Sequence, residues 1–424
     1  MSKLAALGGS MVGTLHSPTW PVFDQSDVDA VANVVKSGIW AYRGPEEQKF
    51  ERAWADYNSA KYGVACTSGT HALRMALEVL GIGPGDEVIV PSLTWQATAA
   101  SVLDVNAIPV LVDVDPTTYT IDPKKVEAAI TSRTKCVIPV HLYCRVADMD
   151  EILRIARQYH LYVIEDCSHS HGSKWRGQSI GTIGDVGAFS LQASKLLNTG
   201  DGGILLTNNK HSADLLQSLK ICGRPSYEGG PTMQSGNFRM TEMQAALGLT
   251  QLQKLTAQNE HRRKNMERLE SNLKGLDCIE ILRKDDRTTY QAAYQYAFKY
   301  ISEKANGIER DVFLHALRAE LGQDGPNSLF CRPYIPLTDS PLYRPFSKKT
   351  HKLSDEYCRA IDPSRFHTPE ADKAYYKECV NFIHYVLLGP ESDMDTLSSA
   401  IIKVCSNLNE LEKVAAASGL GKEI

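Results

Sequence analysis

"VIEDCSHSHGSKWRGQSIGTIGDVGAFSLQASKLLNTGDGG", residues 163–203, contains two apolar runs, each leading to ionisable residues. The first stops at Glu165 and Asp166. The second, "FSL", leads to Lys195 and then to Gly200, Asp201, Gly202 and Gly203. A short buried run closed by small and polar residues reads as a strand and its exit turn. The pattern continues outward on both sides. "YGVAC" (62–66), "DEVIV" (86–90), "IPVLVDV" (108–114), "KCVIPV" (135–140), "LYVIED" (161–166) and "GGILLT" (202–207) are strand-like. Between them, "THALRMALEVLG" (70–81), "QATAASVLDV" (96–105), "PKKVEAAI" (123–130) and "DMDEILRIARQYH" (148–160) carry helical spacing. Strands buried on both faces and alternating with helices predict βαβ units and a large, mostly parallel sheet. The expected fold class is therefore α/β.

Beyond this region the texture changes. Residues 241–274 have apolar positions at helical spacing and then turn highly charged, which predicts one long helix, or two with a small break. After 275 come a strand-like "YQYAFKY" (294–300), a helix "DVFLHALRAEL" (311–321), a loop "FCRPYIPLTDSPLYRP" (330–345) and a helical stretch near 393–413. The chain thus divides into residues 1–274, a large domain with its N-terminal arm and linking helix, and residues 275–424, a smaller α/β domain. No internal repeat stands out.

Composition narrows the function class. A net charge of -4 argues against a nucleic-acid partner, which normally needs a basic face. No stretch approaches the roughly 20 apolar residues of a membrane-spanning helix, so no membrane partner is expected. The start "MSKLAALGGSMVGT" lacks the apolar core of a secretory signal. Ten cysteines are scattered without a C-x-x-C pair, and several lie in apolar runs where a thiol is a small hydrophobe. Together these features predict a cytoplasmic protein in a reducing compartment that needs no disulfide or metal staple.

Four stretches carry candidate chemistry. In "CTSGTHAL" (66–73) a Ser-Gly-Thr turn opens a helix. Its free N–H groups and helix dipole suit a phosphate, although an ordinary N-cap explains the same residues. Glu165 and Asp166 end a buried strand, the edge where open parallel sheets bind ligands. An acid there can face a protonated ring nitrogen, hold a metal or cap a turn. His169 and His171 add little to the metal reading, because D-x-x-H-x-H is not a tight ligand set and no further cluster completes it, so no metal site is expected. Trp95 in "PSLTWQATAA" (91–100) is either a core residue or a stacking plate. Lys195 becomes a carbonyl-trapping nucleophile if its pKa is lowered in a shielded site. In this order the four match pyridoxal phosphate, which needs a phosphate cup, an aromatic plate, an acid on the ring nitrogen and a Schiff-base lysine.

The chain resembles the sugar aminotransferases of the DegT/DnrJ/EryC1/StrS family, within the aspartate-aminotransferase-like (fold type I) superfamily. The resemblance runs through residues 50–102, "VHLYCRVADMDEI" (140–152), residues 163–203 and "GNFRMTEMQAALGLTQL" (236–252). It implies pyridoxal 5'-phosphate bound as a Schiff base by Lys195, which also moves the substrate proton, with Asp166 on the ring nitrogen and Trp95 stacked on the ring. It further implies a phosphate held by the Gly69 and Thr70 amides and the Ser190 hydroxyl, and His169 near the phenolic oxygen. Asn237 would reach the cofactor of a neighbouring subunit, making a homodimer with shared active sites. Cys144 stands where the family usually has Gly, and Asp201 where Glu is commoner.

Gln192, three residues before the lysine, is similar to the aminocyclitol branch, whereas many nucleotide-sugar members have His there. The implied reaction is ping-pong transamination from L-glutamine or L-glutamate to a keto-cyclitol such as scyllo-inosose or 2-deoxy-scyllo-inosose, in aminoglycoside or other secondary-metabolite biosynthesis. The alternatives are a nucleotide- or phospho-keto-sugar acceptor, a dehydratase of the same fold, and a non-catalytic regulatory relative. Retention of Lys195 argues against the dehydratase, which carries His there. Substrate choice is expected in loops near 39–46, 222–236 and 331–343, and Arg43, Arg224, Arg239 and Tyr334 are candidates for substrate contact or for plain surface and interface positions.

Overall fold

The computed structural model describes residues 3–323, 325 and 328–418. Seven strands form the main sheet: β1 (Tyr62–Cys66), β2 (Glu87–Pro91), β3 (Ile108–Val112), β4 (Thr134–Val137), β5 (Tyr162–Asp166), β6 (Val186–Ser190) and β7 (Gly203–Thr207). Their spatial order is β1-β7-β6-β5-β4-β2-β3. Pairings from β3 to β6 are parallel, and β7 runs antiparallel to both β6 and β1. The reversal at β7 has a local cause. Antiparallel neighbours need no crossover helix, so β6 and β7 are joined directly by residues 191–202, the segment that carries Lys195. That connection turns at Gly200, whose φ of +83° suits a residue without a side chain. β6 is one element the apolar patterning left implicit, because its "VGAFS" is short and glycine-interrupted.

Helices 69–79, 97–104 and 149–159 follow β1, β2 and β4 as the alternation predicts. Ser68 and Asp148 cap the first and third, accepting hydrogen bonds from His71 N and Glu151 N. Residues 242–273 form one unbroken helix of 32 residues, opened by a Thr241–Gln244 capping box. At 1.5 Å per residue it spans about 48 Å, and it links two cores. Ala245 and Leu255 pack into the core of the main sheet, whereas Met266, Leu269 and Leu273 pack into the second core. Its charged half is explained by ion pairs, Arg263 with Glu260 and Glu267, and Arg268 with Asp395.

The second core covers an antiparallel sheet of β8 (Ile279–Ile281), β9 (Tyr296–Tyr300), β10 (Phe330–Cys331) and β11 (Cys379–Phe382), ordered β8-β9-β11-β10. The final helical stretch is two helices, Glu391–Cys405 and Leu408–Ser418, rather than one. Leu4 is buried in this second core, and Val12 N donates to Glu320 O, so the N-terminal arm folds onto the C-terminal part. Conversely, Leu337, Tyr343, Tyr357 and Ile361 pack against the main sheet. Two of the ten scattered cysteines meet in the fold. Cys278 and Cys405 form a disulfide with a Cα–Cα distance of 6.6 Å, across 127 residues of sequence. Packing of helix Glu391–Cys405 against the long helix, whose end lies just before Cys278, creates that proximity, which sequence spacing does not reveal.

Candidate active site

The carboxyl ends of β5 and β6 and the turn after β1 open onto a cavity of about 430 Å³. Seven of the eight site residues singled out in the sequence line it: Gly69, Thr70, Trp95, Asp166, His169, Ser190 and Lys195. Asn237 does not. It is exposed, and its Oδ1 accepts a hydrogen bond from Arg239 N at 3.3 Å. Gln192, Asp201 and Tyr334 also line the cavity, whereas Arg43, Arg224 and Arg239 lie outside it. Arg43 and Arg239 instead stack on the Tyr42 ring, at 5.3 and 5.5 Å.

The turn after β1 is built for close approach. A Cβ on Gly69 would fall 2.6 Å from the Ser190 Cβ, so only glycine lets the helix start meet the end of β6. The Gly69 and Thr70 N–H groups at this helix start have no intrahelical acceptor and, together with the Ser190 hydroxyl, form a donor cup. Gly69→Ala forces the two segments apart. The expected loss is about 1–3 kcal/mol of folding stability, by analogy with overpacked cores, read as a lower midpoint in urea denaturation.

Strand alternation sends Glu165 and Asp166 to opposite faces. Glu165 is fully buried, and its carboxylate accepts from Gly181 N, Ile183 N and Gly184 N and from His141 Nε2. Although His141, Glu165 and Cys167 lie close enough to hold a metal, these hydrogen bonds already occupy the carboxylate. His141 Nδ1 is likewise taken, accepting from Ala147 N. Asp166 faces the cavity. Its Oδ2 accepts from Thr98 Oγ1 at 3.0 Å and its Oδ1 from Ser168 N at 3.2 Å. Those two donors aim the carboxylate while leaving it lone pairs for a third donor.

Lys195 is buried, with Nζ 4.4 Å from the centre of the Tyr294 ring. Burial pushes its pKa down to about 8, against the opposing pull of Asp166. At neutral pH about a tenth of the amine is therefore unprotonated and nucleophilic, far more than for an ordinary lysine. His169 Nδ1 accepts from Tyr143 N at 3.2 Å, which leaves the ring proton on Nε2 to be donated to Tyr334 Oη at 3.1 Å. Burial, reinforced by Lys195, keeps His169 well below its ordinary pKa and hence neutral. The Trp95 ring is 47 % exposed and lies 5.8 Å from Tyr334.

Tyr294 and Thr98 are site residues that sequence reasoning missed. Tyr294 sits at the edge of a strand-like run with nothing to mark it. Thr98 had a faint signal: it follows Thr94 by one helical turn beside Trp95, and the two hydroxyls lie 3.1 Å apart.

Residues 21–361 match the DegT/DnrJ/EryC1/StrS aminotransferase family. The chain is 38% identical to an L-glutamine:2-deoxy-scyllo-inosose aminotransferase of Streptoalloteichus tenebrarius, across 96% of this chain and 99% of that one. It is also 38% identical to an L-glutamine:scyllo-inosose aminotransferase of Streptomyces griseus, across 97% and 100%. Among solved structures, 3-amino-5-hydroxybenzoic acid synthase superposes with a TM-score of 0.78 at 28% identity, covering 93% of this chain and 99% of that one. An aminotransferase from Psychrobacter cryohalolentis reaches 0.82 at 28% identity, covering 93% and 100%. The chain belongs to the DegT/DnrJ/EryC1/StrS family of pyridoxal-phosphate-dependent aminotransferases.

Proposed function

We propose that the protein transfers the amino group of L-glutamine, or L-glutamate, to a keto-cyclitol such as scyllo-inosose or 2-deoxy-scyllo-inosose. The observation that carries this reading is the 38% identity to two aminotransferases of those acceptors over nearly the whole of every chain involved. Cavity chemistry supports it. Hydroxyl and amide groups of Ser168, Gln192, Ser194, Gln295 and Tyr334 line the cavity, and Lys195 is its sole lysine or arginine among the described residues. Such a lining suits an uncharged polyol better than a nucleotide diphosphate, which favours cations.

The residues fit pyridoxal phosphate. The Gly69 and Thr70 amides and the Ser190 hydroxyl would hold its phosphate, Asp166 would accept from its ring nitrogen, and Trp95 would cover one ring face. His169 would sit beside its phenolic oxygen, and Lys195 would hold its carbonyl carbon. When bound, the ring supplies an electron sink for the carbon that loses its proton. Lys195 Nζ then takes that proton and returns it in each half-reaction. Asp166, fixed by Thr98 and Ser168, presents its carboxylate to the cavity. Asn237, exposed on this chain, would complete the cup of a second copy in a cytoplasmic homodimer.

The test is an acceptor screen with glutamine as donor, comparing scyllo-inosose, its 2-deoxy form and keto nucleotide-sugars. Turnover of the cyclitols at least about tenfold above the nucleotide-sugars in kcat/KM, a 1.4 kcal/mol discrimination, is the expected result. Activity confined to nucleotide-sugars would replace the cyclitol by that acceptor class.

A further inference from the structure

The backbone just before Lys195 is held from behind by two segments distant in sequence. Trp20 Nε1, in the N-terminal arm, donates to Ala193 O at 2.8 Å. His384 Nε2, just after β11, donates to Ser194 O at 3.0 Å. The two rings pack edge to face at 4.4 Å, so the donors form one unit. On the cavity side, Ser194 Oγ donates to Gln192 Oε1 at 2.7 Å and so accepts from Tyr294 Oη at 2.8 Å. The two carbonyls preceding Lys195 are thus satisfied by side chains from outside the main sheet.

We propose that His384 is a positioning residue for Lys195, its Nε2–H on the Ser194 carbonyl tying the C-terminal domain to the turn that carries the lysine. The inference rests on Lys195 being the reactive amine. A carbonyl can only accept, so His384 must carry its proton on Nε2. Its Nδ1 is buried and finds no partner among the described residues. The ionisable groups around it are Arg262, Lys195, His171, Tyr294 and Tyr385. Burial, then the Arg262 charge, hold its pKa well below the ordinary value, so the ring stays neutral and keeps this tautomer. Arg262 is itself fully buried with no carboxylate partner among the described residues, its guanidinium 5.3 Å from the Trp20 ring. Tertiary packing maintains a one-way donor under the catalytic turn, and loss of that donor leaves a buried carbonyl unpaired.

The experiment compares His384→Phe, which keeps the aromatic contact with Trp20, and His384→Gln, whose amide N–H can replace Nε2–H. In His384→Phe, kcat is expected to fall about tenfold with both KM values within about twofold, the effect of one buried hydrogen bond. The dissociation constant of pyridoxal phosphate, from titration of the apoprotein, should rise by a similar factor of about ten. His384→Gln should return both quantities to within about threefold of wild type, with thermal midpoints of the two variants alike. Unchanged kcat and cofactor affinity in His384→Phe, or equal losses in both variants, overturns the positioning role. Borohydride trapping of wild type with pyridoxal phosphate, followed by peptide mass spectrometry, separates the underlying reading. A label on Lys195 supports it, and a label on another lysine overturns both.

Discussion

Lys195→Ala should abolish transamination, lowering turnover by at least about 10⁴-fold, because one amine serves as both nucleophile and proton carrier. The residual rate is measured as glutamine-dependent amination of scyllo-inosose, and the fold is checked by thermal denaturation. Retention of wild-type turnover would remove Lys195 from the mechanism. The same residue sets a pH dependence. Its ammonium form cannot attack a carbonyl, and burial places the transition near 8 rather than at an ordinary lysine value. Capture of pyridoxal phosphate by the apoprotein should therefore accelerate as pH rises through about 8 and then level off. A rate that climbs steadily to pH 10 would mean that the amine is not shielded.

Asp166→Asn should cost on the order of 10²–10³ in kcat/KM, comparable to removing one preorganised electrostatic contact from an active site. The side chain keeps its shape, so the effect is one of charge. Thr98 and Ser168 hold the carboxylate from one side, and its remaining lone pairs are proposed to meet the ring nitrogen. The substitution has a second, independent signature. The Asp166 charge favours the ammonium form of Lys195, so its removal should shift the Lys195 transition to lower pH. A kcat/KM loss under tenfold, or a shift to higher pH, would mean that Asp166 does not act through its charge.

The candidate site was legible because its residues lie in short, ordered motifs at strand ends. Ser68–Gly69–Thr70, Trp95, Asp166 and Lys195 each fall where a run of apolar residues stops, and a parallel sheet brings such endpoints to one edge. The strand-and-helix alternation from 62 to 207 was readable for the same reason, since buried strands and amphipathic helices leave different periodicities. Less legible were features that depend on two distant segments meeting. Arg43 and Arg239 lie in loops that sequence associates with substrate, yet they stack on Tyr42 outside the cavity. Tyr294 and His384 reach the lysine turn from positions 99 and 189 residues later, and no local pattern marks either.

By itself, the sequence determined the sheet type, and it pointed to the sheet edge, the lysine and the cofactor class on which the proposed function rests. Each of these follows from local periodicity and from residue chemistry at strand termini. Residue chemistry left Glu165 and Asp166 open and the resemblance chose Asp166; the tertiary structure supplies the physical reason, since neighbouring strand residues face opposite ways and Asp166 is the one lining the cavity. Tertiary structure alone decided that residues 242–273 remain one helix, because both halves find a core to bury against. Finally, it decided that Cys278 and Cys405 meet and that Lys195 is an amine titrating near 8. Proximity and desolvation are properties of the folded chain, set by groups far apart in sequence.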